Sequence, residues 1–190
     1  MDMDEAMEKS VYIAGVTPVD DDFDLKDFTH IRAYHSCRPI SIDRYKKQGI
    51  CPLTYESAKS DLLLKLQNAG IPEATLIEIF DKHWDDLGAV HQGVWFTLTK
   101  EELLELSGHY LIYGSEFVHG IATELRRQDA LRKYGKPTIF TCDVPIEFIS
   151  LHWFRSLQDD ISDNRIMPCA FRISESLPPE NIIAVEFPQK

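Results

Sequence analysis

Hydrophobic and polar positions alternate with two different periods along this chain, and each change of period marks an element. Residues 31–37 read as a strand, after which Ser41 offers an N-cap to a short helix stopped by Gly49. Ala58, Leu62, Leu63 and Leu66 recur at turn spacing and predict a helix over 54–69, closed by Gly70. Pro72 restarts a helix to residue 87 through Leu76, Ile77, Ile79, Phe80 and Trp84. Residues 94–98 form a β-rich run, and Thr99 with Glu102 reads as a capping box for the helix that holds Leu103, Leu104 and Leu106.

A longer helix is expected over 115–134, where Phe117, Val118, Ile121, Leu125 and Leu131 recur and Gly135 follows. Strands are expected at 137–144, 170–173 and 182–187, with a polar connection over 158–164. Strands mixed irregularly with helices predict an α+β domain rather than a regular βαβ series. Residues 1–27 differ from the rest: Asp20, Asp21, Asp22 and Asp24 cluster there, and 11–16 is the one strand-like run. They read as an acidic, solvated arm, with a single domain over 28–190.

The chain has 190 residues, enough to bury one core without disulfide or metal staples. A net charge of −11 opposes non-specific binding to nucleic acid or anionic membranes, although Arg126, Arg127, Arg132 and Lys133 form a local basic patch. No apolar run approaches the roughly 20 residues that span a bilayer, and the start of the chain is acidic, so the expectation is a cytoplasmic protein with no membrane contact. Cys37, Cys51, Cys142 and Cys169 stand far apart, and Cys142 lies in an apolar strand where a thiol is inert. His83, His91, His109, His119 and His152 show no H-x-x-x-H spacing, and Glu116-x-x-His119 is one half of a di-iron pair, so no metal is expected.

The common nucleotide signatures are missing, since there is neither G-x-G-x-x-G nor G-x-x-x-x-G-K-[ST], and no G-x-S-x-G elbow supports a nucleophilic serine. The informative run is Arg32-Ala33-Tyr34-His35-Ser36-Cys37-Arg38, followed by Tyr45, Gly49-Ile50 and Pro52. It resembles the first motif of the ADP-ribosyltransferases of the diphtheria-toxin-like and poly(ADP-ribose) polymerase branch. Gly93-Val94-Trp95-Phe96-Thr97 looks like the second, a glycine and an aromatic pair on a strand.

The resemblance implies a split β-sheet core with inserted helices, and NAD as substrate. It implies that His35 hydrogen-bonds the adenosine ribose and that Ser36, followed by Arg38, borders the nicotinamide amide. Trp95 then stands where the family stacks an aromatic ring on the nicotinamide, and Tyr110 and Tyr113, beside Gly114-Ser115, are candidates for the tyrosine that closes the pocket. The chain departs from the third motif, because Met167-Pro168-Cys169 occupies the place of the family's glutamate. The catalytic carboxylate is then Glu116, at a helix start where the dipole favours an acid, or one of Asp159, Asp160 and Asp163. Otherwise the domain is a silent module whose acidic arm recruits a protein partner. As an enzyme it would transfer ADP-ribose to a protein or nucleic-acid acceptor, or to water as a glycohydrolase. Small proteins of the family often act as toxins, effectors or defence factors.

Overall fold

The computed structural model describes residues 9–87 and 93–189. The α+β expectation holds: a six-stranded, mostly antiparallel sheet is covered by helices. Its strands are β1 (Val11–Tyr12), β2 (His30–Cys37), β3 (Val94–Thr97), β4 (Thr138–Pro145), β5 (Ala170–Ile173) and β6 (Ile182–Glu186), in the order β5-β3-β2-β4-β6, with β1 parallel to β2. β2 and β4 pair along their whole length, from His30↔Pro145 to Cys37↔Thr138. β3 pairs with β5 over four residues. Between β2 and β3, by contrast, the register is the single pair Tyr34↔Thr97. The sheet therefore consists of two halves that meet at one point and diverge beside it.

Alternation along the central strands sorts their side chains to two faces. Ile31, Ala33, Phe140, Cys142 and Val144 pack with Leu157 and Ile161 of helix α8 (Leu151–Ser162). Tyr34 and Ile139 meet Leu103 of α4 (Lys100–Glu105) and Leu111 of α5 (His109–Tyr113). A second core lies among α2 (Tyr55–Leu66), α3 (Glu73–Leu87), α6 (Glu116–Glu124) and α7 (Gln128–Leu131), where Leu62, Leu76, Phe80, Phe117, Ile121 and Leu131 are buried. The Thr54 hydroxyl accepts from the Ser57 N–H and the Ser57 hydroxyl accepts from the Thr54 N–H, so α2 starts where its sequence predicts. The short helix α1 (Asp43–Gln48) follows β2 and ends at Gly49. Gly49 has a φ of 76°, and a Cβ there would stand 1.8 Å from the Leu177 carbonyl oxygen, so only glycine fits.

Three expectations need correction. Residues 9–27 are not a free arm, because Tyr12 and Leu25 are fully buried and Tyr12, Phe23 and Phe28 form an aromatic cluster with centroids 5.4–6.0 Å apart. The acid cluster Asp20, Asp21 and Asp22 stays in solvent with the neighbouring Val16 and Val19, while residues 1–8 lie outside the described residues. The helix expected over 115–134 is two helices, because the chain turns at Arg126 with φ 54° and Arg127 N–H donates to the Ala122 carbonyl at 2.7 Å. That turn lets Leu131 reach the helical core.

The polar connection over 158–164 is largely the last turns of α8. Its buried residues Leu157 and Ile161 are four apart, and the polar ones between them form the opposite face. Gln158 also has a structural task there: its Oε1 accepts from Leu25 N–H at 2.7 Å and its Nε2 donates to the Phe23 carbonyl at 3.0 Å. The N-terminal segment is thereby fixed to the sheet domain. Among the described residues no helix is long and apolar enough to cross a membrane.

Candidate functional site

Where the two halves of the sheet diverge, a cleft of about 570 Å³ opens, within the size range of small-molecule sites. The end of β2 brings His35 and Ser36 to it, β3 brings Trp95, α5 brings Tyr110, and the turn into α6 brings Ser115 and Glu116. Residues singled out in the sequence, from three elements and the turn into a fourth, thus border a single space.

His35 is held by a hydrogen bond across the junction of the halves. Its Nδ1 lies 2.9 Å from the Trp95 carbonyl oxygen, which can only accept, so Nδ1 carries the proton and Nε2 is an acceptor in the neutral ring. Burial lowers the pKa of His35, against the opposing effect of that backbone bond, and keeps the ring neutral. Its neighbours are Phe96 and Phe140, at centroid distances of 5.8 and 6.3 Å. Ser36 is 7% exposed, and its Oγ has no hydrogen-bond partner among the described residues. A hydroxyl can donate and accept, and leaving it buried and unmatched costs about 1–3 kcal/mol. Such a group in a cleft wall is suited to a polar ligand.

Trp95 and Phe96 separate by strand alternation. Phe96 is buried against Phe171, stacked at 5.6 Å, whereas Trp95 is 41% exposed. The indole meets Trp153 of α8 edge-on at 5.3 Å, with the Arg172 guanidinium 5.9 Å from its centroid. An exposed indole edging a cleft can stack on a planar ligand.

Tyr110 donates its hydroxyl to Glu116 Oε2 at 3.1 Å. Burial, and then the Glu116 charge, push the Tyr110 pKa up to about 12, so the phenol remains a donor. Glu116 itself is exposed at the first turn of α6, and the Ser115 side chain makes no capping bond to that helix.

Two sequence candidates behave differently. Tyr113 does not border the cleft: its ring stacks on His119 at 4.2 Å and 6°, and its hydroxyl accepts from Arg132 Nη2 at 2.7 Å. Arg38 borders it, but its guanidinium donates to the carbonyls of Tyr134, Leu111 and Arg132 at 2.8, 3.1 and 2.7 Å. It fastens the end of β2 to α5 and to the segment after α7.

Of the alternative acids, Asp160 and Asp163 are paired with Arg165, and none of Asp159, Asp160 and Asp163 borders the cleft. Near the third-motif position a different carboxylate appears. Glu102 Oε2 accepts from the Cys169 N–H at 2.8 Å, is 4% exposed and has its pKa raised by burial. The expected capping box is therefore half made, since Thr99 caps the helix while Glu102 turns to Cys169.

Sequence reading passed over Asp61 and Lys65 of α2, which also border the cleft. The signal was present: Lys65 falls on the stripe of Ala58, Leu62 and Leu66, where an amphipathic helix places apolar residues. Burial pushes the Cys37 thiol up to about 12 and raises Cys142 further, which disfavours a nucleophilic thiolate at these two positions. Among the described residues no group of three or more His, Cys, Asp or Glu is placed to hold a metal ion, and His91 lies outside them. Compared with known protein families, curated proteins and solved structures, the chain matches none.

Proposed function

We propose that the chain is an NAD-dependent ADP-ribosyltransferase, which cleaves the bond between nicotinamide and ribose and passes ADP-ribose to a macromolecular acceptor. The observation that carries this reading is the convergence of His35, Trp95, Tyr110 and Glu116, from four separate elements, on one cleft. Chance placement of a motif-like run would leave these residues scattered.

The chemistry asks for three things, and the cleft has a group for each. The nicotinamide amide needs fixed polar partners, which the unmatched Ser36 Oγ supplies, with the Trp95 indole as a stacking surface. The adenosine side needs a hydrogen-bonding group, and His35 Nε2 is an acceptor for a ribose hydroxyl. The departing nicotinamide takes the electron pair of the C–N bond and leaves positive charge on the ribose, which a carboxylate stabilises. Glu116, oriented by the Tyr110 hydroxyl, is that carboxylate. It then takes the proton of the acceptor as the new bond to the ribose carbon forms, and releases it to solvent.

The test is incubation of the purified protein with NAD labelled in the adenine, with and without protein and nucleic-acid acceptors, measuring free nicotinamide. Nicotinamide release with label on an acceptor is the expected result. Release with the label only in free ADP-ribose would make the protein a glycohydrolase, and no release with any acceptor would sink the enzymatic reading in favour of a silent interaction module.

A further inference from the structure

One lobe of the cleft is built around a buried cation that the reading above does not use. Lys65 is 3% exposed, and its Nζ lies 2.7 Å from Asp61 Oδ2, one turn back on α2. An ammonium has three donors, and among the described residues Asp61 is the hydrogen-bond partner it has. Asp61 is itself 32% exposed and shares its charge with solvent. A Cβ added to Gly114 would stand 3.2 Å from Nζ, which places the ammonium beside the turn that leads into Ser115 and Glu116. Ser60 and Arg44 border the same cleft, so a hydroxyl and a second cation share its wall. Taking an ammonium out of water is costly, and a single partly exposed carboxylate compensates only part of that cost.

We infer that Lys65, with Ser60, forms an anion-holding lobe that takes the diphosphate of a nucleotide ligand bound in the cleft. The inference rests on the NAD reading for the ligand and not for the lobe, which any phosphate-bearing nucleotide would fill. Lys65 lies near the end of β2: the same Cβ position at Gly114 that is 3.2 Å from its Nζ is 3.5 Å from the Arg38 Cβ, two residues beyond Ser36. A ligand with one end at Ser36 and Trp95 would thus carry its negative charge towards Lys65.

Calorimetric titration of the full chain with ADP, and separately with adenosine, tests this. ADP should bind at least about tenfold tighter than adenosine, as hydrogen bonds to a charged group allow. Lys65→Met should abolish that preference while leaving adenosine affinity within about twofold, with circular dichroism reporting the fold. Asp61→Asn, which removes the competing carboxylate, should tighten ADP binding by about threefold and serves if Lys65→Met does not fold. Equal affinities for ADP and adenosine in the wild type, a preference that survives in Lys65→Met, or weaker ADP binding by Asp61→Asn would overturn the lobe. A Lys65-dependent preference for ADP in a protein that never cleaves NAD would uphold the lobe and remove the transferase reading alone.

Discussion

The Nδ1 proton of His35 is shared with the carbonyl oxygen of Trp95 at 2.9 Å, beside Tyr34↔Thr97, the one registered pair between the two halves of the sheet. The histidine is thus both a wall of the cleft and a tie between β2 and β3. His35→Ala should weaken NAD binding by up to about tenfold, the worth of one net hydrogen bond of about 0.5–1.5 kcal/mol. It should also lower the melting temperature, because the bond to Trp95 and the contacts with Phe96 and Phe140 are lost. Unchanged NAD affinity alongside a lower melting temperature would assign His35 to structure alone.

Ser36 should trade stability for binding. Removing its buried, unmatched hydroxyl in Ser36→Ala relieves a desolvation penalty of about 1–3 kcal/mol, so the ligand-free protein should melt higher. Nicotinamide and NAD should bind it more weakly. Thermal melts with and without nicotinamide decide the point, and a variant that melts lower without ligand would show that the hydroxyl is matched in solution.

Glu116→Gln keeps shape and polarity but removes charge. Nicotinamide release should fall about a hundredfold or more, equivalent to about 2.7 kcal/mol of transition-state stabilisation. NAD affinity should change little, since the charge acts on the transition state. Tyr110→Phe, which deletes the 3.1 Å bond to Glu116, should lower kcat by a smaller factor. Full turnover in Glu116→Gln would direct the search to Asp61 as the other carboxylate bordering the cleft.

Stability should decline as pH falls below about 6.5, the ordinary histidine value. Burial lowers the pKa of His35, His30 and His119, so each takes up a proton in the unfolded chain before it does so in the fold. Between the ordinary value and the lowered one, unfolded chains bind more protons and acid favours unfolding. Chemical denaturation from pH 7.5 to 5 should show this slope, and His35→Phe should reduce it. An unchanged slope in the variant would mean that His35 titrates as an exposed histidine does.

The buried Glu102 runs the other way. Its raised pKa means that the charged form is disfavoured in the fold, so its contribution to stability is fully present below the ordinary carboxylate value and is lost as pH rises through the raised one. Glu102→Gln can still accept from the Cys169 N–H, and should be more stable than the wild type at pH 7 by an amount that shrinks towards pH 4.5. A destabilised variant at neutral pH would show that the charge-assisted bond to Cys169 outweighs burial.

The sequence by itself determined most of the local structure, because apolar periodicity and turn residues act within a few residues of each other. Thr54 starts α2, Gly49 stops α1, and all of the strands expected after residue 28 are formed. Motif-like neighbours singled out His35, Ser36 and Trp95, the helix after the second motif suggested Tyr110 and Ser115, and a helix start suggested Glu116, and all of these border the cleft. What the sequence could not supply were relationships across sequence distance. Gln158 fixes Leu25 from 133 residues away, turning an acidic arm into a packed segment. Tyr113 and Tyr110 are equally good candidates in one dimension, and only the bonds to Arg132 and Glu116 send one out of the cleft and keep the other in. Lys65 falls on the apolar stripe of α2, but only the fold shows what faces it: the Gly114 turn, whose Cβ position would stand 3.2 Å from its ammonium, and Asp61 at 2.7 Å. In each case the deciding free energy belongs to partners that meet only once the chain has folded.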